Sequence, residues 1–324
     1  MSSNRIVTIG IGGASCSGKT TLAKWLLKIL PNCTLFYQDD FFKLEKDLPI
    51  DPTTKYINWD CPEAINFPLF LSTLEKLHQT GSLPATFVSN EVKNVHKDIK
   101  GSGLDELVKQ LSLRVNEALN ASAGDDKNNG WHFVLVDGFL LYYDPEVIKE
   151  LDVRLFVKAD RDTLKKRREE RAGYITVEGY AIDPPDYFDK IVWPNYVELH
   201  KDLLIKGQSS GLIDGVKSGC KVIEDFVVLD TNFEEKFGEN LEEAVETVIR
   251  FIERSAGPRS ESESSDRCPE ARITRIYSVW LPIIDYDLIV MTYKIYYLNY
   301  DHLGHIKLDM AQNGNTESAS LMFQ

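Results

Sequence analysis

The segment Gly13-Ala14-Ser15-Cys16-Ser17-Gly18-Lys19-Thr20 constrains the fold more than any other part of the chain. It meets every position of the pattern G-x-x-x-x-G-K-[ST]. Glycine near both ends lets the backbone fold back, so that several N–H groups point into one concavity suited to phosphate. A helix starting at Lys19 would add the positive end of its dipole. Lys19 brings a charge for the β- and γ-phosphates, and the Thr20 hydroxyl a ligand for Mg²⁺. Context separates the motif from a chance match. Residues 6–11 read as a buried strand ahead of the loop. Residues 20–30 carry helical apolar spacing behind it (Leu22, Trp25, Leu26, Leu30), and Pro31 stops that helix.

Strand and helix patterns continue to alternate. Residues 34–37, 132–136, 151–157 and 226–229 read as strands; 67–77, 104–119, 162–171 and 241–252 read as helices, and 121–130 as an exposed loop. This order predicts an α/β fold of the P-loop kinase type, with a mostly parallel sheet flanked by helices. We place that domain at residues 1–254. Residues 257–266 are rich in Ser, Glu, Pro and Gly, and the tyrosine-rich stretch after them shows no clear period. Residues 255–324 therefore read as a linker and a disordered or anomalous extension.

Across 324 residues the net charge is −13, which argues against a nucleic-acid partner. Five scattered cysteines without a C-x-x-C pair argue for reduced thiols rather than disulfides or zinc. Residues 276–300 are apolar but interrupted by Pro282, Asp285, Asp287 and Lys294, so no membrane span is expected. A cytoplasmic monomer is the expectation, with the nucleus left open.

A phosphate loop names a nucleotide, not a reaction. The guanine signature Asn-Lys-x-Asp is absent from the sequence. Asp39 and Asp40 stand just past the second strand, at the sheet edge where ligands bind. Asp39 is a candidate base and metal-shell group, or else a helix cap. Asp137 ends the run 133–136 in the position of a metal-holding carboxylate, or else opens an Asp-Gly turn. Arg167 and Arg171 are one helical turn apart with Arg168 close by, so they form a lid over phosphates or a solvated face. Trp59-Asp60 reads as a base-stacking and ribose-binding pair, or equally as a packed Trp beside a surface Asp.

Taken jointly, residues 13–21, Gln38-Asp39-Asp40-Phe41-Phe42-Lys43, Asn58-Trp59-Asp60, Val136-Asp137-Gly138-Phe139, Lys166-Arg167-Arg168 with Arg171, and Asp183-Pro184-Pro185-Asp186-Tyr187-Phe188-Asp189 resemble the nicotinamide riboside kinases. Those enzymes are relatives of the uridine kinases, and the fungal members look most similar. The resemblance runs from about residue 5 to 252. It implies ATP-dependent phosphorylation of the 5′-hydroxyl of nicotinamide riboside, and of nicotinic acid riboside, for NAD synthesis. By resemblance, Gly13 to Thr21 hold ATP with Arg167 and Arg171, and Lys19 serves catalysis. Asp39 is the proton acceptor and lies near Mg²⁺ with Thr20 and Asp137. Asp39, Asp40, Phe42, Trp59, Asp60 and Arg168 meet the riboside, and Tyr174 lies over its ring. A uridine or cytidine kinase and a non-catalytic nucleotide-binding protein stand as alternatives.

Overall fold

Along strand β1 (Arg5–Gly13) large and small residues alternate. Val7, Ile9 and Ile11 are buried on one face of the sheet. Thr8, Gly10 and Gly12 line the other, because strand side chains alternate. The Leu151 side chain fills the space beside Gly10 and the Tyr142 ring that beside Gly12. A Cβ on Gly12 would meet that ring at 2.3 Å. The Tyr142 hydroxyl donates to the carbonyls of Gly10 (3.0 Å) and Leu155 (2.8 Å), tying β1 to its neighbour.

The computed structural model describes residues 5–91, 99, 103–122, 130–171, 173–176, 179–201, 203–206, 213–216, 226–232, 234–255, 276–277, 295–300, 306–312 and 315–320. After β1 come α1 (Lys19–Ile29), β2 (Cys33–Tyr37), α2 (Phe67–Thr80), α3 (Leu104–Ser122) and β3 (Trp131–Asp137). Then follow α4 (Pro145–Lys149), β4 (Val153–Lys158), α5 (Arg161–Glu169) and the hairpin β5 (Tyr174–Thr176) and β6 (Gly179–Ala181). A π-helical turn (Phe188–Val192), α6 (Trp193–Leu199), the pair β7 (Leu204–Lys206) and β8 (Ile213–Val216), β9 (Phe226–Asp230) and α7 (Phe237–Ser255) complete the first unit.

The main sheet is fully parallel, in the order β2-β3-β1-β4-β9. Both its faces are covered, which explains the unbroken apolar run at 133–136. Phe133 and Leu135 pack with α1, α3 and α7, while Val134 and Val136 pack with α2, α4 and α6. Caps set some boundaries. The Asn66 side chain accepts from the Leu69 amide at the start of α2, and Gly81, left-handed at φ 70°, ends it.

The expected strands and helices of residues 1–254 are present, with ends shifted by a few residues. Sequence patterning missed α4, the hairpin β5–β6, α6 with the turn leading into it, and the pair β7–β8, all too short for a period to register. Among the described residues no helix is long and apolar enough to cross a membrane.

Residue contacts divide the chain into Met1–Arg259 and Ser260–Gln324. In the second unit β10 (Ile276–Tyr277), β11 (Ile295–Tyr300), β12 (Ile306–Gln312) and β13 (Asn315–Ser320) form an antiparallel sheet in chain order. Strands thus occur where no period was legible. The overlooked signal is Asn313-Gly314, a dipeptide favoured between strands joined by two residues, which lies between the paired Gln312 and Asn315. The expected linker at 257–266 and most of the loop at 121–130 lie outside the described residues.

Candidate active site

Three neighbouring strands of the sheet end together. Asp137 pairs in register with Ile11 on one side and Tyr37 on the other. Two residues past Ile11 is Gly13, and two past Tyr37 is Asp39. Parallel pairing therefore gathers the glycine loop, Asp137 and Asp39 at one carboxyl edge, where open α/β sheets bind ligands.

The loop turns sharply at Gly13 (φ 138°), Cys16 (φ 64°) and Gly18 (φ 100°). A left-handed non-glycine such as Cys16 marks a conformation imposed by its surroundings. Lys19 folds back, its Nζ donating to the Ala14 carbonyl at 2.8 Å. The Thr20 hydroxyl donates to Asp137 Oδ2 at 2.5 Å. From the far side the Thr231 hydroxyl donates to the Ser17 carbonyl at 2.6 Å, so the turn after β9 braces the loop.

Asp39 opens toward the cleft in the short 3₁₀ turn Gln38–Phe41. Protein atoms crowd its carboxyl on the other sides. That crowding, then the charges of Glu91 and Asp137, pushes its pKa up to about 8, against the pull of Lys19 and Arg171. Water in the cleft weakens the crowding effect, but the two neighbouring carboxylates keep the direction upward. Asp40, expected at the substrate, instead accepts from the amides of Asn90 (2.7 Å) and Glu91 (3.2 Å) through Oδ1. It pins the segment that carries Glu91, a buried acid that has no motif to reveal it.

The arginines separate. Sequence spacing puts Arg167 and Arg171 on one helix face, but α5 stops at Glu169 and Arg171 lies beyond it. Arg167 donates to the Thr231 carbonyl at 2.7 Å, on the side of the glycine loop. Arg171 lies over the Tyr174 ring at 4.0 Å, and the Tyr174 hydroxyl is 3.8 Å from Cys16 Sγ. Arg168 is buried. Its Nε and Nη2 donate to Asp183 at 2.6 and 3.2 Å, and its Nη1 and Nη2 reach Asp60 at the longer 3.4 and 3.5 Å. Tyr174 and Tyr187 stand 5.0 and 5.5 Å from the guanidinium.

Trp59 and Asp60 are thus not an isolated surface pair. The Trp59 amide donates to the Tyr187 hydroxyl (3.0 Å), which donates to the Ile57 carbonyl (2.9 Å). Trp59 meets Phe42 edge-on at 5.5 Å, and Phe42 stacks on Phe139 at 5.9 Å, giving an aromatic wall. His200 supports that wall from behind. It is buried, with Nε2 3.2 Å from the Phe139 carbonyl and Nδ1 2.9 Å from that of Tyr196. Burial pushes its pKa down to about 4, so the ring is neutral, adds no charge behind the wall and donates to one of the two carbonyls. Asp183, Tyr187, His200 and Thr231 had no assigned role in the sequence. Only Asp183 and Tyr187 left a trace, in the stretch 183–189.

A phosphate cradle at the centre of a parallel sheet, faced by strand-end carboxylates and flanked by an arginine-bearing helix, defines a P-loop kinase. The phosphoribulokinase/uridine kinase family profile matches residues 8–174. A nicotinamide riboside kinase of Schizosaccharomyces pombe is 32% identical over 249 residues, covering 77% of this chain and 99% of that protein. One of Saccharomyces cerevisiae is 34% identical over 227 residues, covering 70% and 90%. Nicotinamide riboside kinase 2 of Mus musculus is 30% identical over 210 residues, covering 65% and 88%. The chain belongs to the phosphoribulokinase/uridine kinase family and, within it, to the nicotinamide riboside kinases. It is an ATP-using phosphotransferase that acts on a hydroxyl of a small nucleoside.

Proposed function

We propose that this protein transfers the γ-phosphoryl group of ATP to the 5′-hydroxyl of nicotinamide riboside, and of nicotinic acid riboside, for NAD synthesis. The observation that carries the reading is the position of Asp39. It stands at the carboxyl edge of the sheet, within the field of Lys19 and Asp137 on the phosphate side and of Arg171, whose contact with Tyr174 leads to the pocket of Arg168 and Asp60. A nucleotide in the loop and a riboside in the pocket would meet beside its carboxyl.

Lys19 and the loop amides hold the phosphates, with Arg167 and Arg171 closing on ATP from either side. Asp39 takes the proton of the 5′-hydroxyl; a pKa lifted toward neutrality makes it a better acceptor than an ordinary carboxylate. Asp60 and Arg168 orient the ribose. Trp59, Phe42 and Tyr174 contact the planar base. Among the described residues no three His, Cys, Asp or Glu side chains form a ready-made metal cage. Two carboxylates, Asp39 and Asp137, and the Thr20 hydroxyl make a partial shell of hard oxygens. Mg²⁺ typically completes such a shell with phosphate oxygens and water, and would neutralise the transferring charge. We infer a cytoplasmic monomer.

An ATP-consumption assay on nicotinamide riboside, nicotinic acid riboside, uridine and cytidine tests this reading. Turnover is expected on the two pyridine ribosides and should stop on chelation of Mg²⁺. A preference for uridine or cytidine would replace the reading with the related nucleoside kinase. ATP binding without any turnover would favour a regulatory protein.

We further propose that residues 1–254 are the whole catalytic unit, with 255–324 a dispensable extension. A chain ending after Ser255, where α7 ends, should keep kcat and both KM values within about two-fold, a change worth under 0.5 kcal/mol. A loss of ten-fold or more would assign the extension a part in catalysis.

A further inference from the structure

If the pocket takes nicotinamide riboside, as proposed above, it faces an electrostatic problem. The base of that riboside is a pyridinium carrying a full positive charge. Arg168, which borders the pocket, is also cationic and buried. Two like charges in a poorly solvated site repel far more strongly than in water. A neutral nucleoside base would meet no such penalty.

Asp183 offers the remedy. It stands two residues past the end of β6 and approaches the guanidinium from the side of the hairpin. Its two oxygens take Nε (2.6 Å) and Nη2 (3.2 Å), the tighter of the two carboxylate contacts that Arg168 makes. Asp60 stands opposite at 3.4 and 3.5 Å, too long for strong bonds, which leaves it and Nη1 room to engage ribose hydroxyls. Asp183 is also the more open of the two carboxylates, with 29% of its side chain exposed against 10% for Asp60. The faces of Tyr174 and Tyr187, negative in their quadrupoles, flank the same guanidinium.

We propose that Asp183 sets the base preference of the pocket: it fixes the Arg168 fork and cancels its charge, so that a cationic riboside can bind beside an arginine. Asp183 is a positioning and charge-compensating residue and takes no part in proton transfer. Removing its charge while keeping its shape leaves Arg168 with only the looser Asp60 contact to offset it. A cationic base then suffers more than a zwitterionic one, whose carboxylate is attracted by the less compensated guanidinium.

The test compares the wild type with Asp183→Asn and Asp183→Glu on nicotinamide riboside and nicotinic acid riboside, with the KM for ATP measured alongside. Asp183→Asn is expected to lower kcat/KM for nicotinamide riboside by about ten-fold more than for nicotinic acid riboside, mostly through KM, with the KM for ATP unchanged. Asp183→Glu keeps the charge and should retain the wild-type preference even where rates fall. Equal losses on both ribosides in Asp183→Asn would reduce Asp183 to a structural role and overturn the proposal. Should Asp183→Asn fail to fold, a changed preference in Asp183→Glu overturns it as well. A wild type inactive on both pyridine ribosides defeats the substrate reading itself, a result visible before any variant is made.

Discussion

Asp39→Asn is expected to lower kcat by about 10²- to 10⁴-fold while ATP still binds, because the variant keeps the shape of the site and loses the proton acceptor and one negative charge beside the metal. The same substitution should stabilise the empty protein at alkaline pH. In the native chain crowding and the neighbouring Glu91 and Asp137 push the Asp39 carboxyl up to about 8, against an ordinary value of 3.8. Between those values the native protein holds a proton that the unfolded chain has released. Stability from this group therefore falls as pH rises from about 4 to about 8. Asparagine neither gains nor loses a proton, so Asp39→Asn should outlast the wild type in urea at pH 8, with the gap closing toward pH 4. Denaturation curves at the two pH values, together with single-turnover kinetics, check both halves. A variant less stable than the wild type at pH 8 would remove the claim that Asp39 is held at an electrostatic cost. Near-normal turnover would remove it as the base.

The second large effect is expected at Gly13. A Cβ there would stand 2.2 Å from the Val157 carbonyl oxygen, and φ is 138°. The obstacle is backbone, fixed by the register that pairs Gly13 with Val157 in β4, so no side-chain rotation relieves it. Gly13→Ala must therefore displace either the phosphate loop or β4. A loss of roughly 2–4 kcal/mol in folding stability and of ATP affinity by about 100-fold or more should follow. Gly18→Ala is the comparison. Gly18 is also left-handed, at φ 100°, but open space surrounds its missing side chain. It should cost only the conformational strain, about 1–2 kcal/mol. Urea denaturation and ATP titration by calorimetry measure the pair. Equal, small effects at both positions would show that the contact with Val157 yields easily.

Both expectations draw on parts of the molecule that differ in how visible they are in the sequence. The cradle around Gly13 is local: strand, turn and helix are consecutive, and each glycine answers a backbone demand within a few residues. Asp39 and Asp137 were visible almost as well, because each follows an apolar run that had to be a buried strand. The parallel order β2-β3-β1 then brings them together without any further information. The arginine helix was visible as composition only. Its spacing suggested that Arg167 and Arg171 act as one face, yet α5 ends at Glu169 and the three guanidiniums go three ways.

The sequence by itself determined where phosphates bind, because a phosphate loop is built from consecutive residues and carries its own conformational signature. It also determined the layered α/β fold, since strands buried on both faces must be apolar throughout. Only the tertiary structure decided what stands opposite the phosphates. Arg168 finds Asp183 15 positions away and Asp60 108 positions away, and the Trp59 amide finds the Tyr187 hydroxyl across 128. No periodicity links such residues. Their meeting depends on how a short hairpin and a π-helical turn fold back over the sheet edge, and packing across the cleft fixes that path.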